Sequence, residues 1–157
     1  FSGLWGVVRP HDFLPNYRLS ASIKLPTIGT VATYWKKQLN PLLNVALKDQ
    51  IVVDCRSGEY RKMWAPSAKH PCELLQVVVQ REDPSTGNRS VVSHNAKHMR
   101  GVLAGALFEQ RANGKLSKEV SVSQIVEIAS NLPDVIDVDV STANASGEST
   151  LTLVTDR

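Results

Sequence analysis

Apolar residues recur four apart at Val31, Trp35 and Leu39, a spacing that predicts a helix from about Thr30. Asn40-Pro41 then supplies a cap and a first-turn proline for a second helix ending near Leu47, so Pro41 is expected to divide one long helix into two. Ile51 to Cys55 reads as a short buried strand, and Arg56-Ser57-Gly58-Glu59-Tyr60 leaves it through a glycine turn into a short helix reaching Trp64. Leu74 to Gln80 and Ser90 to His94 flank a run of turn formers, Asp83 to Asn88, which predicts a hairpin. The clearest helix is Ala96 to Arg111, where Met99, Val102, Leu103, Ala106 and Leu107 form one apolar stripe behind a cap at Asn95 or Ser93. A further helix from Gln124 to Leu132 follows Ser121 or Ser123, and Val135 to Val140 with Leu151 to Thr155 makes a second hairpin across Asn144 to Glu148. Strands and helices alternate without a sustained βαβ rhythm, so the expected class is α+β, a compact domain of mixed short strands, two hairpins and flanking helices.

The segment before Ile28 is rich in proline and rings (Pro10, Pro15, Pro26, Trp5, Phe13, Tyr17) and is expected to be irregular but ordered. With 157 residues, 42% of them hydrophobic, the chain has the length and apolar content of one globular domain over residues 1–157, which excludes disordered, collagen-like and coiled-coil classes. No apolar run approaches the roughly 18 to 20 residues that span a bilayer, and Arg9, His11, Asp12 and Arg18 stand where a signal peptide would be apolar, so a cytoplasmic protein without membrane contact is expected. Cys55 and Cys72 both lie in apolar segments and are expected to be buried free thiols. Phe1 followed at once by a motif-like run is the opening expected of a fragment.

Charge changes this picture by its distribution. Residues 1–100 hold fourteen Lys/Arg against seven Asp/Glu, a balance of +7, and residues 101–157 hold four against eight, a balance of −4. Such asymmetry suggests an anionic partner for one face. Lys97, His98 and Arg100 crowd the first turns of the Ala96 helix, where the helix dipole is already positive, so they call for a phosphate or for an internal carboxylate such as Glu59. Gly101 and Gly105 would let a ligand or another backbone approach that helix. His94 and His98, with His70, Cys72 and Cys55 elsewhere, lack any zinc-ligand spacing, and neither a metal nor a cofactor is expected. Asp134, Asp137 and Asp139 alternate with apolar residues as on a solvated strand face, and nucleophile elbows, phosphate-binding loops and dinucleotide fingerprints are absent.

Several short runs carry a resemblance through their order and spacing. They are Ser2-Gly3-Leu4-Trp5-Gly6 with Arg9-Pro10 and Asp12, Tyr17-Arg18-Leu19, Tyr34-Trp35, Ser57-Gly58-Glu59-Tyr60 and Ala96-Lys97-His98-Met99-Arg100-Gly101. Together they resemble the peroxide stress protein YaaA family across nearly the whole chain, weakening after about Arg111. The departures are Ser57-Gly58, where many members carry a more polar pair, and His98-Met99, where a basic-small pair is commoner. The match corresponds to the later part of a family member, lacking an N-terminal portion with its short opening motif and helix-hairpin-helix segment.

The resemblance implies a family-specific fold and a bacterial cytoplasmic protein that keeps unincorporated iron low under peroxide stress and binds double-stranded DNA in a basic cleft. Carried over by position, Arg9, Tyr17, Arg18, Lys97 and Arg100 would contact nucleic acid or another phosphate-bearing ligand, and Asp12, Glu59, Tyr60 and Gly101 would support the cleft. The missing N-terminal segment is a further expected partner. An enzyme acting on a nucleotide or nucleobase is the alternative, with Glu59 as general acid or base and the cations holding a phosphate. Direct iron sequestration through His94, His98 or Cys72 is a third reading.

Overall fold

The computed structural model describes residues 1–67, 72–92, 95–117, 119–145 and 147–156. In chain order its elements are β1 (Lys24–Leu25), β2 (Gly29–Thr30), α1 (Val31–Ala46), β3 (Ile51–Asp54), α2 (Gly58–Arg61), β4 (Glu73–Glu82), β5 (Arg89–Val91), α3 (Ala96–Ala112), α4 (Val122–Ser130), β6 (Val135–Val140) and β7 (Glu148–Thr155). The class is α+β. Two compact units divide the chain, one made of Phe1–Asp49 with Arg56–Cys72 and the other of Gln50–Cys55 with Glu73–Arg157.

In the first unit, α1 begins at Thr30, whose hydroxyl oxygen accepts the Thr33 N–H at 3.2 Å. Its next free amides are taken by backbone carbonyls of the preceding segment, Val31 N–H by Ile23 and Ala32 N–H by Ala21, both at 2.9 Å. The expectation that Pro41 splits this helix is wrong, because α1 runs unbroken to Ala46 with Pro41 inside it. A proline removes one amide, here the donor to the Lys37 carbonyl, and Lys37 lies on the exposed flank where water can satisfy that oxygen. Burial on both sides of the proline then holds the helix together: Leu39 precedes it, and Asn44 follows with its Oδ1 accepting the indole N–H of fully buried Trp64 at 2.8 Å.

The second unit is built on a five-stranded mixed sheet ordered β3-β4-β7-β6, with β5 paired to the far end of β4. Both expected hairpin pairings are present and antiparallel, β4 with β5 and β6 with β7. The central contacts are parallel, β3 with β4 and β4 with β7, and a hairpin reading of the sequence cannot supply them. One sheet face carries Leu75, Val77, Val79, Leu151 and Leu153 against Met99 and Leu103 of α3 and Ile125 and Ala129 of α4. The predicted stripe is the buried one, with Val102, Ala106 and Leu107 packed at its margin.

Helix caps divide the expectations. Ser121 closes α4 with a complete capping box, its hydroxyl accepting from Gln124 N–H and the Gln124 side chain accepting from Ser121 N–H. Asn95 stands at the N-cap position of α3, but its own backbone is already helical (φ −77°, ψ −19°) and its side chain makes no cap bond. Ser93, the other expected cap, lies outside the described residues. Neither Cys55 nor Cys72 forms a disulfide, and Cys72 is buried while Cys55 is only half-buried.

The two aspartates of β6, Asp137 and Asp139, are exposed, as a solvated face requires, yet both are engaged. The Arg89 guanidinium on β5 donates to Asp137 at 2.6 Å, to Asp139 at 2.5 Å and to Glu82 at 2.8 Å. Arg89 therefore ties the β4–β5 hairpin to the opposite edge strand, and its hydrogen bond, with that of the Val138 N–H, holds the Asp137 carboxyl below the usual range. Period-two alternation shows which residues leave the core but not which partner crosses the sheet to meet them.

Candidate functional site

The motif Ser2-Gly3-Leu4-Trp5-Gly6 folds into a closed loop. Ser2 N–H donates to the Gly6 carbonyl at 2.7 Å and Gly6 N–H returns to the Ser2 carbonyl at 2.9 Å, while the Ser2 hydroxyl accepts from Trp5 N–H and shares a hydrogen bond with the Tyr17 hydroxyl. The loop sits against α1, where Trp35 Nε1–H donates to the Gly3 carbonyl at 2.7 Å. Both glycines are demanded by this packing. A Cβ on Gly3 would lie 2.2 Å from the Leu19 carbonyl oxygen, and Gly6, at φ +75°, would put one 2.6 Å from the Trp35 ring. The same wrapping leaves the Trp5 ring about half exposed, at 47%. Tyr17 is thus brought to the loop as a hydrogen-bond partner of Ser2, whereas Arg18, next to it in the irregular segment, is exposed. Arg9 and Asp12 belong to one turn, with Arg9 N–H donating to the Asp12 carboxylate at 2.8 Å and Asp12 N–H to the Arg9 carbonyl at 3.1 Å.

Glu59 and Tyr60 lie on α2. The Glu59 carboxylate is exposed and pairs at 2.9 Å with Lys62, the residue that ends α2, so that carboxylate has a local cation beside it. Tyr60 is half-buried, and its carbonyl accepts from Arg56 Nη1 at 3.4 Å. Sequence reasoning did not single out Arg56. Its guanidinium lies 4.4 Å from the Phe1 ring centroid and 5.3 Å from that of Trp64, so it stacks on two aromatic faces of the first unit. The available signal was an arginine beside the Ser57-Gly58-Glu59-Tyr60 run in a chain otherwise poor in aromatics.

In the second unit, Lys97, Arg100 and Gly101 share the first turns of α3, which contain no acidic residue. Lys97 and His98 are exposed. Arg100 turns back instead, with Nε donating to the Ala96 carbonyl at 2.9 Å and Nη1 to the Cys55 carbonyl at 3.4 Å, so it fastens the start of α3 to the end of β3. A Cβ built on Gly101 or Gly105 meets no atom of its own unit within 4 Å. Among the described residues no other backbone takes up this approach, and the two glycines leave that face of the helix open.

Among the described residues no three His, Cys, Asp or Glu side chains gather in a metal-ligating group, and His70 and His94 of the candidate set lie outside those residues. No helix among the described residues is long and apolar enough to cross a membrane.

The motifs that make the loop, α2 and the first turn of α3 fall within a longer match to known proteins. The family model for peroxide stress protein YaaA matches residues 1–125. A UPF0246 protein of Streptomyces coelicolor is 36% identical over 108 residues, which is 69% of this chain and 40% of that protein. A UPF0246 protein of Corynebacterium efficiens is 33% identical over 124 residues, covering 76% of this chain and 47% of its own length. One from Paraburkholderia phytofirmans is 32% identical over 117 residues, 70% of this chain and 44% of that protein. This chain therefore spans less than half the length of these curated relatives. The matched region contains the Ser2-to-Gly6 loop, the α2 motif and the basic turn of α3 as continuous features of one pattern, and the chain belongs to the peroxide stress protein YaaA family.

Proposed function

We propose that this chain is part of a bacterial peroxide-stress protein that binds double-stranded DNA and limits intracellular free iron. Membership of the YaaA family supports the peroxide-stress role. The observation that carries the DNA reading is the first turn of α3, a helix of 17 residues that begins with Lys97, His98 and Arg100, no acidic residue and no cap bond from the Asn95 side chain. The first-turn amides, the positive end of the dipole and two permanent cations favour a phosphate there. Arg100 is held by the Ala96 and Cys55 carbonyls and acts as a fixed charge, leaving exposed Lys97 as the direct phosphate contact. Arg9 and Arg18 of the first unit, both exposed, add phosphate contacts, in line with the +7 balance of residues 1–100. Cytoplasmic location follows from such a partner.

Fluorescence anisotropy of a labelled duplex tests this reading, with this chain and with the longer Streptomyces coelicolor relative across a salt series. Binding to Z phosphates gives a log-log salt slope of about −0.9Z, and Lys97→Ala or Arg18→Ala should weaken binding and reduce the slope by about one. Salt-insensitive binding, or two variants that bind like the parent, refutes the proposal.

A further inference from the structure

Within the second unit, α3 and α4 meet through Met99, Leu103, Ile125 and Ala129, and beyond that contact the space between them opens into a cavity of about 390 Å³. The helix faces explain the opening. The inner stripe of α3 ends in small Ala106 and polar Gln110, four residues apart, while α4 lines the same space with Gln124, Glu127 and Asn131, spaced so that they share one face. Buried Leu116 and Leu132 with half-buried Ala106 and Ile128 make an apolar floor, whereas Lys115 and Glu127 are exposed at the rim. The volume lies at the small end of the range of about 300–1,000 Å³ typical of small-molecule sites.

The chain itself holds the polar groups of this cavity in place. The Gln110 carbonyl accepts Lys115 N–H at 2.9 Å and Leu116 N–H at 3.2 Å, Gly114 turns the chain at φ +72°, and Arg111 Nη1 donates to the Leu116 carbonyl at 2.8 Å, so the segment leaving α3 is pinned. The Gln124 carboxamide oxygen is tied into the capping box by Ser121 N–H at 3.0 Å, and Asn131 Nδ2 donates to the Glu127 carbonyl at 2.7 Å. Gln124 thereby keeps its amide N–H groups for a ligand and Asn131 keeps its Oδ1. Lys115 and Glu127 bring opposite charges to one cavity, yet among the described residues no ion pair joins them.

We propose that this cavity binds a free α-amino acid with an aliphatic side chain, Glu127 taking the ammonium, Lys115 the carboxylate, and the floor of Ala106, Leu116, Ile128 and Leu132 the side chain. A cation and an anion on one small cavity match a zwitterion, whereas a phosphate would meet the Glu127 carboxylate as a like charge. A nucleobase would find no aromatic ring among the lining residues to stack on. A residue inside a peptide has neither terminal charge and would leave both Lys115 and Glu127 unused. The cavity lies at the opposite end of α3 from Lys97 and Arg100, so the inference goes beyond the DNA reading and does not rest on it.

The test is an NMR titration of the full 157-residue chain with L-leucine, read at the side-chain amides of Gln110, Gln124 and Asn131. Three comparison ligands each lack one feature: leucinamide the carboxylate, isocaproate the ammonium, and glycine the apolar side chain. Leucine should shift the three amides saturably. Leucinamide and isocaproate should bind more weakly by about threefold or more, as expected for a charge contact at an exposed rim, and glycine by about tenfold or more. Lys115→Met should weaken leucine by about threefold without weakening leucinamide, and Glu127→Gln should weaken leucine likewise without weakening isocaproate. Both side chains are exposed, so these variants should fold as the parent does. Absence of a saturable shift up to about 10 mM, shifts that map outside the cavity, a comparison ligand that binds as tightly as leucine, or variants that bind leucine like the parent overturns the proposal.

Discussion

The Ser2-to-Gly6 loop makes a quantitative prediction because two glycines of the first unit share a backbone conformation and differ in surroundings. Gly6 has φ +75° and a would-be Cβ 2.6 Å from the Trp35 ring, whereas Gly29 has φ +79° and nothing within 4 Å. Replacing Gly29 by alanine therefore incurs only the left-handed backbone penalty, about 1–2 kcal/mol. Replacing Gly6 incurs the same penalty and also forces the indole to move, adding about 1–3 kcal/mol of overpacking. Displacing that indole further strains its hydrogen bond to the Gly3 carbonyl, an interaction worth about 1 kcal/mol. All three tryptophans, Trp5, Trp35 and Trp64, lie in the first unit, so intrinsic fluorescence during urea titration reports on that unit alone. Gly6→Ala should be the more destabilised variant by about 1–4 kcal/mol. Equal losses for the two substitutions, within about 0.5 kcal/mol, would refute the claim that the motif glycine is required by Trp35.

Two further outcomes follow from the same structure. Asn44→Ala leaves the buried Trp64 indole N–H without its acceptor and should destabilise the first unit by about 1–3 kcal/mol in the same titration, and a loss under about 0.5 kcal/mol would mean that this bond is replaced by another. Arg89→Met should lower the thermal midpoint at neutral pH by an amount that disappears on acidification. The folded-state pKa of Asp137 is depressed, so its stabilising effect is present above the ordinary aspartate value and is lost as pH falls through the folded value. The parent and variant midpoints should therefore converge only as pH falls below the ordinary aspartate value and through the lower folded value of Asp137, and a gap that does not narrow over that range would assign the role of Arg89 to packing.

The periodic signals were reliable where one face of an element is buried. The stripe of α3, a serine cap before α4 and both hairpin pairings could be read from the chain because residue spacing along a helix or strand decides which side chains can meet locally. The family motifs were legible too, as residue types at fixed spacing. Their structural reasons were not, since the need for glycine at positions 3 and 6 is created by Leu19 and Trp35, which lie elsewhere in the chain. Continuity of α1 through Pro41 was likewise decided by tertiary burial, because Leu39, Asn44 and Trp64 together outweigh one missing amide. The parallel neighbours of β4, the reach of Arg89 across the sheet and the turning of Arg100 onto the Cys55 carbonyl depend on contacts between distant segments. Local propensity carries no information about such contacts. The chain by itself determined most of its elements, its basic first two thirds and its family, and the packing of those elements decided which of the cations are spent on the fold, because those contacts join residues far apart in the sequence.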